Sequence, residues 1–350
     1  MTEPPFIKGL DLSQICYEGA VKPILDKQFP DLLHSAALLG AGSEILGFDT
    51  PQSRDHDWGP RLMLFLTEDD HARYHEQIDQ ILSQELPAEI RGYPINFEYH
   101  DDGLMHHRVL ILTVRGFAKY ILTFDPTGDI RPVDWLSIPE QRLLMFTAGR
   151  VFYDGLGELE PLRTKLGTFP RDVWLYKLAA QWQRIAQEEP FMGRCGQVED
   201  EVGSRLVAAR LVRDLMRLCF LMEQTYTPYI KWFGTAFARL DCADALLPVF
   251  FRVLESHSWQ EREKHLTTAH EFVAGMHNAL SITEPLSTKV SQFYLRPFSV
   301  IKAERFVAAI RAVITSEEVR ALPEHLGAVD QFVDSTDALN EPAWSKELYK

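Results

Sequence analysis

The stretch ALLGAGSEILGFDTPQSRDHDWGPRLMLFL, residues 37–66, joins two apolar segments through a Gly-Ser pair and the triplet Asp55-His56-Asp57. The run RLMLFLT is continuously apolar, which is typical of a strand buried on both faces. In an extended chain, residues i and i+2 point to the same side, so Asp55 and Asp57 would present two carboxylates together. Two adjacent like charges need a neutralising partner, and a hard divalent cation such as Mg²⁺ takes carboxylate oxygens. The triplet therefore predicts a metal site, with a solvated polar turn as the alternative.

Gly42 and Ser43 stand between the apolar segment AALLG and the short sequence SEIL, which is a candidate helical turn. A glycine allows the backbone to approach a phosphate closely, and amides at a helix N-terminus are anion donors. The serine hydroxyl adds one more donor. The pair is therefore predicted to bind phosphate, although a plain turn is the better interpretation when the pair is considered alone.

The pattern Gly-Ser … Ser-x-Asp-x-Asp, here Gly42-Ser43 and SRDHD at residues 53–57, resembles the DNA polymerase beta-type nucleotidyltransferase superfamily. That superfamily includes aminoglycoside nucleotidyltransferases and the nucleotidyltransferase partners of bacterial toxin–antitoxin systems. A longer set of segments is similar to a bacterial subgroup described only as a nucleotidyltransferase-like domain of unknown function. These segments are GSEILGFD, SRDHDWGPR, DWLSIPEQRLL, GRVFYDGLGEL, TYTPYIKWF and FYLRPFSV.

The resemblance implies transfer of a nucleoside monophosphate from a nucleoside triphosphate such as ATP to an acceptor hydroxyl, with two Mg²⁺ ions. It implies that Asp55 and Asp57 hold the metal ions and that Gly42 and Ser43 hold the triphosphate. A third carboxylate on a neighbouring strand usually completes such a site and can act as general base. Glu98, in the alternating segment INFEYH, is the first candidate for that role.

Two features leave turnover open. The aspartates are followed by WGPR rather than by the apolar strand, and Pro60 cannot donate to a central ladder, so they are expected on a bulge or at a strand entrance. After Glu98, the next candidates for the third acid are Asp101 and Asp102, which suit a turn equally well. Without a third acid, the chain would bind nucleotide without turning it over. An antitoxin-like regulatory protein with the same fold is therefore the alternative function.

Basic and aromatic residues supply further candidates for the nucleotide site. Arg54 and Arg61 would neutralise a triphosphate, or each would pair with a nearby acid. In TYTPYIKWF, Lys231 would reach phosphate, and Tyr226 or Tyr229 would stack on a base. The alternative is that these aromatic residues belong to the core and that Lys231 is a surface charge.

Apolar periodicity predicts an α+β / α/β protein with two domains. Residues 1–138 are expected to form a nucleotidyltransferase-type mixed sheet with flanking helices, beginning with a helix that has Asp11 or Ser13 near its N-cap. Residues 139–350 are expected to form an all-helical bundle of five to seven helices. The expected strands of the first domain are AALLG, RLMLFLT, YPINFEYH and HRVLILTVRGF. An expected helix of the same domain is DDHARYHEQIDQILSQEL. The second domain is expected to begin with the helical segment IPEQRLLMFTAGRVFYDG.

Composition limits the partners. The 350 residues carry a formal net charge of −14, which argues against a protein that wraps DNA or a long RNA by phosphate neutralisation. A nucleotide substrate needs only a local basic cluster or a metal, and a small-molecule acceptor is favoured over RNA. The four cysteines form no C-x-x-C pair, the N-terminus has no signal-peptide pattern, and no apolar run is long enough to span a membrane. A cytoplasmic protein is expected.

Overall fold

The structure of the chain is a computed structural model that describes residues 4–55, 58–98 and 105–349. The strands are β1 (Ser35–Leu38), β2 (Leu62–Leu66), β3 (Glu89–Ile90), β4 (Tyr93–Pro94), β5 (Asn96–Glu98), β6 (Met105–His107), β7 (Val109–Thr113), β8 (Arg150–Asp154), β9 (Ser291–Gln292) and β10 (Ser299–Val300). The helices are α1 (Gly9–Cys16), α2 (Lys22–Gln28), α3 (Glu68–Glu85), α4 (Val114–Leu122), α5 (Pro132–Ser137), α6 (Glu140–Thr147), α7 (Leu159–Leu166), α8 (Arg171–Glu188), α9 (Phe191–Gln197), α10 (Glu201–Met222), α11 (Ile230–Phe237), α12 (Ala243–Glu255), α13 (Trp259–Ala279), α14 (Glu304–Ala312), α15 (Glu317–Arg320), α16 (Val329–Phe332) and α17 (Thr336–Asn340). Among the described residues, no helix combines the length and the apolar character needed to cross a membrane.

The chain divides into two compact units. The first contains Met1–Ile130 and Arg142–Gly167, and the second contains Arg131–Gln141 and Thr168–Lys350. Each unit is therefore made from two separate pieces of the chain. The predicted domain boundary between residues 138 and 139 stays a prediction.

The first unit contains a four-stranded mixed sheet with the strand order β7-β2-β1-β8. Strand β1 runs antiparallel to both β2 and β8, whereas β2 runs parallel to β7. All five residues of β2 are buried, as its continuous apolar run predicts. The prediction of a mixed α and β protein is confirmed at this level.

One face of the sheet is covered by the opening helix and by α3. The opening helix runs from α1 through a π-helical turn, Tyr17–Val21, into α2. Tyr17 and Leu25 from this helix and Leu82 from α3 are buried in one cluster with strand residues such as Leu64. Lys8 is the N-cap of this helix and Asp11 lies in its first turn, so the expectation that Asp11 lies near the N-cap is confirmed.

The segment IPEQRLLMFTAGRVFYDG is not one helix. Helix α6 ends at Thr147, and Gly149 has a φ of +75°, a left-handed conformation that glycine adopts readily and that ends a helix. The chain then forms β8, which pairs with β1 at the edge of the sheet. The prediction of helix through these residues is wrong after Thr147, because tertiary pairing overrides the local apolar spacing.

The predicted strand HRVLILTVRGF is shorter than expected. Strand β7 ends at Thr113, whose hydroxyl accepts a hydrogen bond from the Gly116 amide at 3.0 Å. Thr113 is thus the N-cap of α4, and Val114 already belongs to that helix. The sequence VRGF is therefore helical.

The second unit is built mainly from helices. Trp182 of α8 is fully buried and stacks on Phe306 of α14, with ring centroids 4.2 Å apart. This unit also contains the antiparallel pair β9 and β10, so the prediction of an all-helical second half is wrong at residues 291–300. The described residues after 138 contain twelve α-helices, more than the five to seven predicted, because several of them, such as α15 and α16, have only four residues.

Candidate functional site

The connection between β1 and β2 lies at one edge of the sheet. Because Ala37 pairs with Met63 in antiparallel register, the carboxyl end of β1 and the amino end of β2 are neighbours. Leu62 pairs with Val109 in parallel register, so β7 begins at the same edge. Leu38 pairs with Arg150, which places the start of β8 there as well. The loop that carries Gly42 and Ser43 and the residues before β2 thus meet at this edge.

Gly42 occupies a position that only glycine accepts without strain. Its φ is +145°, and a Cβ atom built on it would lie 2.6 Å from Oε2 of Glu44 and 2.7 Å from an Nη2 atom of Arg61. Ser43 begins a single turn, in which the Phe48 amide donates to the Ser43 carbonyl at 2.8 Å. The chain therefore forms a turn over SEIL and no helix, so the expected helix N-terminal amides are not provided there.

Beside Gly42, the buried Glu44 forms an ion pair with the partly buried Arg61. The Nε of Arg61 donates to Oε1 of Glu44 at 3.0 Å, and its Nη2 group contacts the same oxygen and donates to the Ala41 carbonyl at 2.8 Å. Glu44 is 4% exposed, so the guanidinium compensates a carboxylate that water scarcely reaches. Of the two alternatives for Arg61, pairing with a nearby acid is the one observed.

Asp49 is a buried carboxylate that the sequence did not single out. Its Oδ2 accepts hydrogen bonds from the Gly9 amide at 2.7 Å and from the Trp58 indole at 3.4 Å, and its Oδ1 lies 3.2 Å from Nζ of Lys8. A carboxylate at a helix N-terminus stabilises the first unpaired amides. Asp49 therefore caps the opening helix from 40 residues away in sequence, a distance at which no local motif reveals the contact.

Asp55 is the last residue of a 3₁₀ segment, Pro51–Asp55, and is exposed. The prediction that it lies in an extended strand is wrong, because the segment is coiled: the Thr50 amide donates to the Ser53 hydroxyl, and Nε of Arg54 donates to the Pro51 carbonyl, each at 3.0 Å. Arg54 is half-buried. Asp57 lies outside the described residues, so its pairing with Asp55 at a metal stays a prediction.

The WGPR insertion, residues 58–61, precedes strand β2, and its tryptophan packs in an aromatic cluster. Trp58 is buried, stacks on Phe6 at 5.6 Å and meets Tyr93 at 5.1 Å between ring centroids. Gly59 has a φ of +141°. Strand β2 begins only at Leu62, and the bulge or strand entrance expected at the aspartates is not found at Asp55, which ends the 3₁₀ segment.

Glu98 ends strand β5, where it pairs through its backbone with Met105 of β6. These two strands form a separate two-stranded sheet and do not belong to the four-stranded one. The role of Glu98 as third acid stays a prediction, and Asp101 and Asp102 lie outside the described residues. In the described part of the chain, no three side chains of His, Cys, Asp or Glu are grouped so that they could hold a metal ion.

Tyr229 and Lys231 belong to the second unit. Tyr229 is the N-cap of α11, and its amide donates to Oε1 of Gln141 at 2.9 Å, while its side chain is partly exposed. Lys231 is exposed, with Nζ 5.0 Å from a ring centroid of Trp232. Tyr226 is buried, and burial raises the pKa of its phenol well above the ordinary value, so the core interpretation holds for Tyr226.

A buried charge cluster in the second unit was not predicted. The ammonium of Lys177 is fully buried, 2.8 Å from Oε1 of Glu140 and 3.5 Å from Oδ1 of Asp330. Oε2 of Glu140 accepts the Thr227 amide at 2.6 Å, and Oδ2 of Asp330 accepts the Glu140 amide at 2.9 Å. The cluster joins four distant segments of the chain, namely α6, α8, α16 and the TYTPY loop. In the sequence, the feature that could have indicated this cluster is Lys177, a charged residue among the apolar residues of α8.

Comparisons with known proteins give two findings. Residues 135–233 match the model of a domain of unknown function (DUF4037). The crystal structure of a nucleotidyltransferase-like protein from Exiguobacterium sibiricum is similar to this chain, with 11% sequence identity, a TM-score of 0.33, and coverage of 75% of this chain and 74% of that one. No curated protein matches the chain. The matched domain contains Glu140, Lys177 and Thr227 of the buried cluster and ends before β9.

Proposed function

We propose that this protein transfers a nucleoside monophosphate from a nucleoside triphosphate, with ATP as the first candidate, to the hydroxyl of a small-molecule acceptor. In this proposal Gly42 and Ser43 bind the triphosphate, and Asp55 and Asp57 hold two Mg²⁺ ions. Glu98 removes the proton from the acceptor hydroxyl as it attacks the α-phosphate, and pyrophosphate leaves. We place this reaction in the cytoplasm, with no role for DNA or a membrane.

The observation that carries the proposal is the geometry of the sheet edge. Gly42 and Asp55 both belong to the connection between β1 and β2, and the register of these strands places the two ends of that connection side by side at one edge. Gly42 and Ser43 are both partly exposed, and Gly42 has no side chain to keep a phosphate from the backbone, although Glu44 and Arg61 fill the space where a Cβ atom would lie. Phosphoryl transfer mainly requires such positioning, together with stabilisation of charge.

The donor chemistry fits magnesium. Asp55 is an exposed carboxylate in the described residues, and carboxylate oxygens are the protein ligands that Mg²⁺ prefers. When bound, the ions would activate the attacking oxygen and stabilise the charge on the leaving one. Among the side chains of the first unit, we assign Arg54 to the triphosphate.

Asparagine substitutions at the two aspartates test the proposal. Asp55→Asn and Asp57→Asn are expected to abolish pyrophosphate release and to weaken Mg²⁺-nucleotide binding, since each removes a charged metal ligand. Asp129→Asn, at an exposed acid of the same unit, is the control and is expected to keep both. Folding is checked by the thermal transition of each variant. Normal turnover in both aspartate variants would refute the assignment.

A second candidate function is nucleotide binding without turnover, as in a regulatory or antitoxin-like protein. This second function is favoured by the state of the two buried carboxylates in the β1–β2 connection. Glu44 is neutralised by Arg61, and Asp49 accepts a hydrogen bond from the Gly9 amide and pairs with Lys8. Neither is therefore free to complete a metal site. Calorimetry with Mg²⁺-nucleotide and a search for labelled products from α-³²P-labelled nucleoside triphosphates separate the two functions. Binding without any labelled product supports the second.

A further inference from the structure

Two histidines stand one turn apart on α3. His71 and His75 have the spacing i and i+4, and no other two of the twelve histidines in the sequence have it. Residues at this spacing share one face of a helix. The two imidazole rings lie side by side with their centroids 4.8 Å apart, and both residues are partly exposed. A small ion from solution can therefore reach both rings at once.

The two histidines lie on the packed face of α3. Ile78 and Leu82, further along the same face, are fully buried in the cluster that includes the strands of the sheet. Positions 71, 75, 78 and 82 form the stripe that is apolar in an amphipathic helix. The histidines thus replace apolar residues at the margin of the core, where a partly buried imidazole needs a polar partner.

Only one of the two imidazoles has such a partner in the described part of the chain. Nε2 of His71 lies 3.3 Å from the carbonyl oxygen of Ile111 in β7 and donates a hydrogen bond to it, because a carbonyl only accepts. The neutral ring then keeps its lone pair on Nδ1. No described residue forms a hydrogen bond with the imidazole of His75. A bond from one ring nitrogen to a backbone carbonyl is the usual support of a metal-binding histidine, since it fixes the tautomer and the ring orientation.

The charge near the two histidines is negative. Glu68, Asp69 and Asp70 form the first turn of α3. Arg73, the basic residue of this helix among lysines and arginines, has its guanidinium 5.7 Å from the ring centroid of Tyr74. One arginine offsets only part of three carboxylates, so a cation that approaches this turn is attracted rather than repelled.

We propose that His71 and His75 together bind one divalent transition-metal ion of the class Zn²⁺, Ni²⁺ or Cu²⁺. Imidazole nitrogen suits these ions, whereas Mg²⁺ prefers oxygen ligands. Two histidines at i and i+4 of a helix can hold one ion between them. Because the described residues form no group of three histidine, cysteine or acidic ligands, water completes the coordination. The site uses none of the residues assigned to Mg²⁺ and does not depend on the proposed transfer reaction.

The main test is calorimetric titration of the untagged full-length protein with NiCl₂ in excess Mg²⁺. The wild type is expected to bind one Ni²⁺ ion, and His75→Gln is expected to raise the dissociation constant roughly a hundredfold, because the second ligand of a chelate acts at a high effective concentration. His257→Gln, at an exposed histidine of the second unit, is the matched control and should bind Ni²⁺ as the wild type does. A wild type that binds no Ni²⁺, or equal binding by His75→Gln, overturns the proposal.

Moving the second histidine tests the spacing. His75→Gln combined with Gln77→His, at an exposed position, keeps the number of histidines but places the two rings on different faces of α3. This double variant should bind Ni²⁺ as weakly as His75→Gln, and the thermal transition without metal checks that each variant folds. Cu²⁺ bound to the wild type should show electron paramagnetic resonance splitting from two imidazole nitrogens, a measurement that needs no variant. Tight binding by the double variant, or splitting from one nitrogen in the wild type, would mean adventitious binding to separate surface histidines only and would overturn the proposal.

Discussion

Glu189 of the second unit gives a quantitative test of how this fold holds a buried carboxylate. The residue is 7% exposed and follows α8 directly. Its Oε2 accepts hydrogen bonds from the amides of Ile301 and Lys302 at 2.7 and 3.2 Å, and its Oε1 accepts the Ala303 amide at 3.0 Å. Burial raises the pKa of the carboxyl from 4.5 to about 7. The three amide hydrogen bonds favour the anion and act in the opposite direction, but burial has the larger effect.

The sign of the effect follows from proton uptake. Between the ordinary pKa of 4.5 and the folded value of about 7, the folded chain binds more protons than the unfolded chain. The stability contributed by Glu189 is therefore fully present below pH 4.5 and is lost as the pH rises through about 7. At about 1.4 kcal/mol per pKa unit, this difference corresponds to about 3 kcal/mol of unfolding free energy.

Two buried histidines act in the opposite direction. Burial lowers the pKa of both His270 and His277 from 6.5 to about 4, so the folded state binds fewer protons than the unfolded state. Their contribution is present above pH 6.5 and is lost as the pH falls through about 4. The wild-type profile alone therefore does not isolate Glu189. The difference between the wild type and a Glu189 variant does, because the histidines cancel.

Glu189→Gln supplies that difference. The amide is neutral at every pH but has only one acceptor oxygen for the three donors, so it carries a constant cost of about 1–3 kcal/mol. Urea unfolding at several pH values should show the wild-type advantage over the variant shrinking by about 3 kcal/mol between about pH 5 and about pH 8. Glu318→Gln, at an exposed carboxylate in the first turn of α15, is the control and should leave the profile nearly unchanged.

A pH-independent difference between the wild type and Glu189→Gln would refute the reasoning. It would mean that the three amides outweigh burial and that the carboxylate is ionised in the folded state throughout the range. A difference that grows with pH would reverse the sign and would assign the carboxylate a pKa below its ordinary value.

Two further predictions concern Gly42 and Lys177. Gly42→Ala should destabilise the first unit by about 1–3 kcal/mol, because the new Cβ meets the Glu44–Arg61 pair at a φ that only glycine favours; thermal unfolding checks this, and Gly157→Ala, which has open space at its Cβ, should cost less. Lys177→Met should cost about 3–5 kcal/mol in urea unfolding, because it leaves the buried carboxylates of Glu140 and Asp330 without their cation. Replacing those two carboxylates by amides in the same chain should recover most of the loss, and no recovery would contradict the electrostatic explanation.

Local sequence patterns predicted the secondary structure correctly where it depends on residues of the same segment. The apolar run at residues 62–66 predicted a buried strand, and the spacing of Ile78 and Leu82 predicted α3. Pro60 correctly indicated that the ladder begins after the WGPR insertion. In each case, the side-chain period or the missing amide acts within a few residues.

Structure set by distant partners was not predictable from such patterns. Strand β8 has apolar residues that also suit a helix, and its pairing with β1 across more than a hundred residues decides the outcome. Asp49 caps a helix that begins 40 residues before it, and Glu44 pairs with Arg61 17 residues after it. No local period encodes contacts of this kind, because they depend on how the sheet brings separate loops together.

These long-range contacts also narrow the chemistry proposed for the sheet edge. A carboxylate that holds a metal ion must keep an oxygen free for it, and the two buried carboxylates of the connecting loop are already engaged by Arg61 and by helix amides with Lys8. Because Arg61 and Lys8 supply this compensation, the buried carboxylates of Glu44 and Asp49 are both paired. The affinity for a nucleotide that carries its own metal ions would therefore depend on the acids of the Asp55 connection. For this reason Asp55, which is exposed at the end of its 3₁₀ segment, is the residue at this edge whose substitution should change metal-dependent binding without loosening the fold.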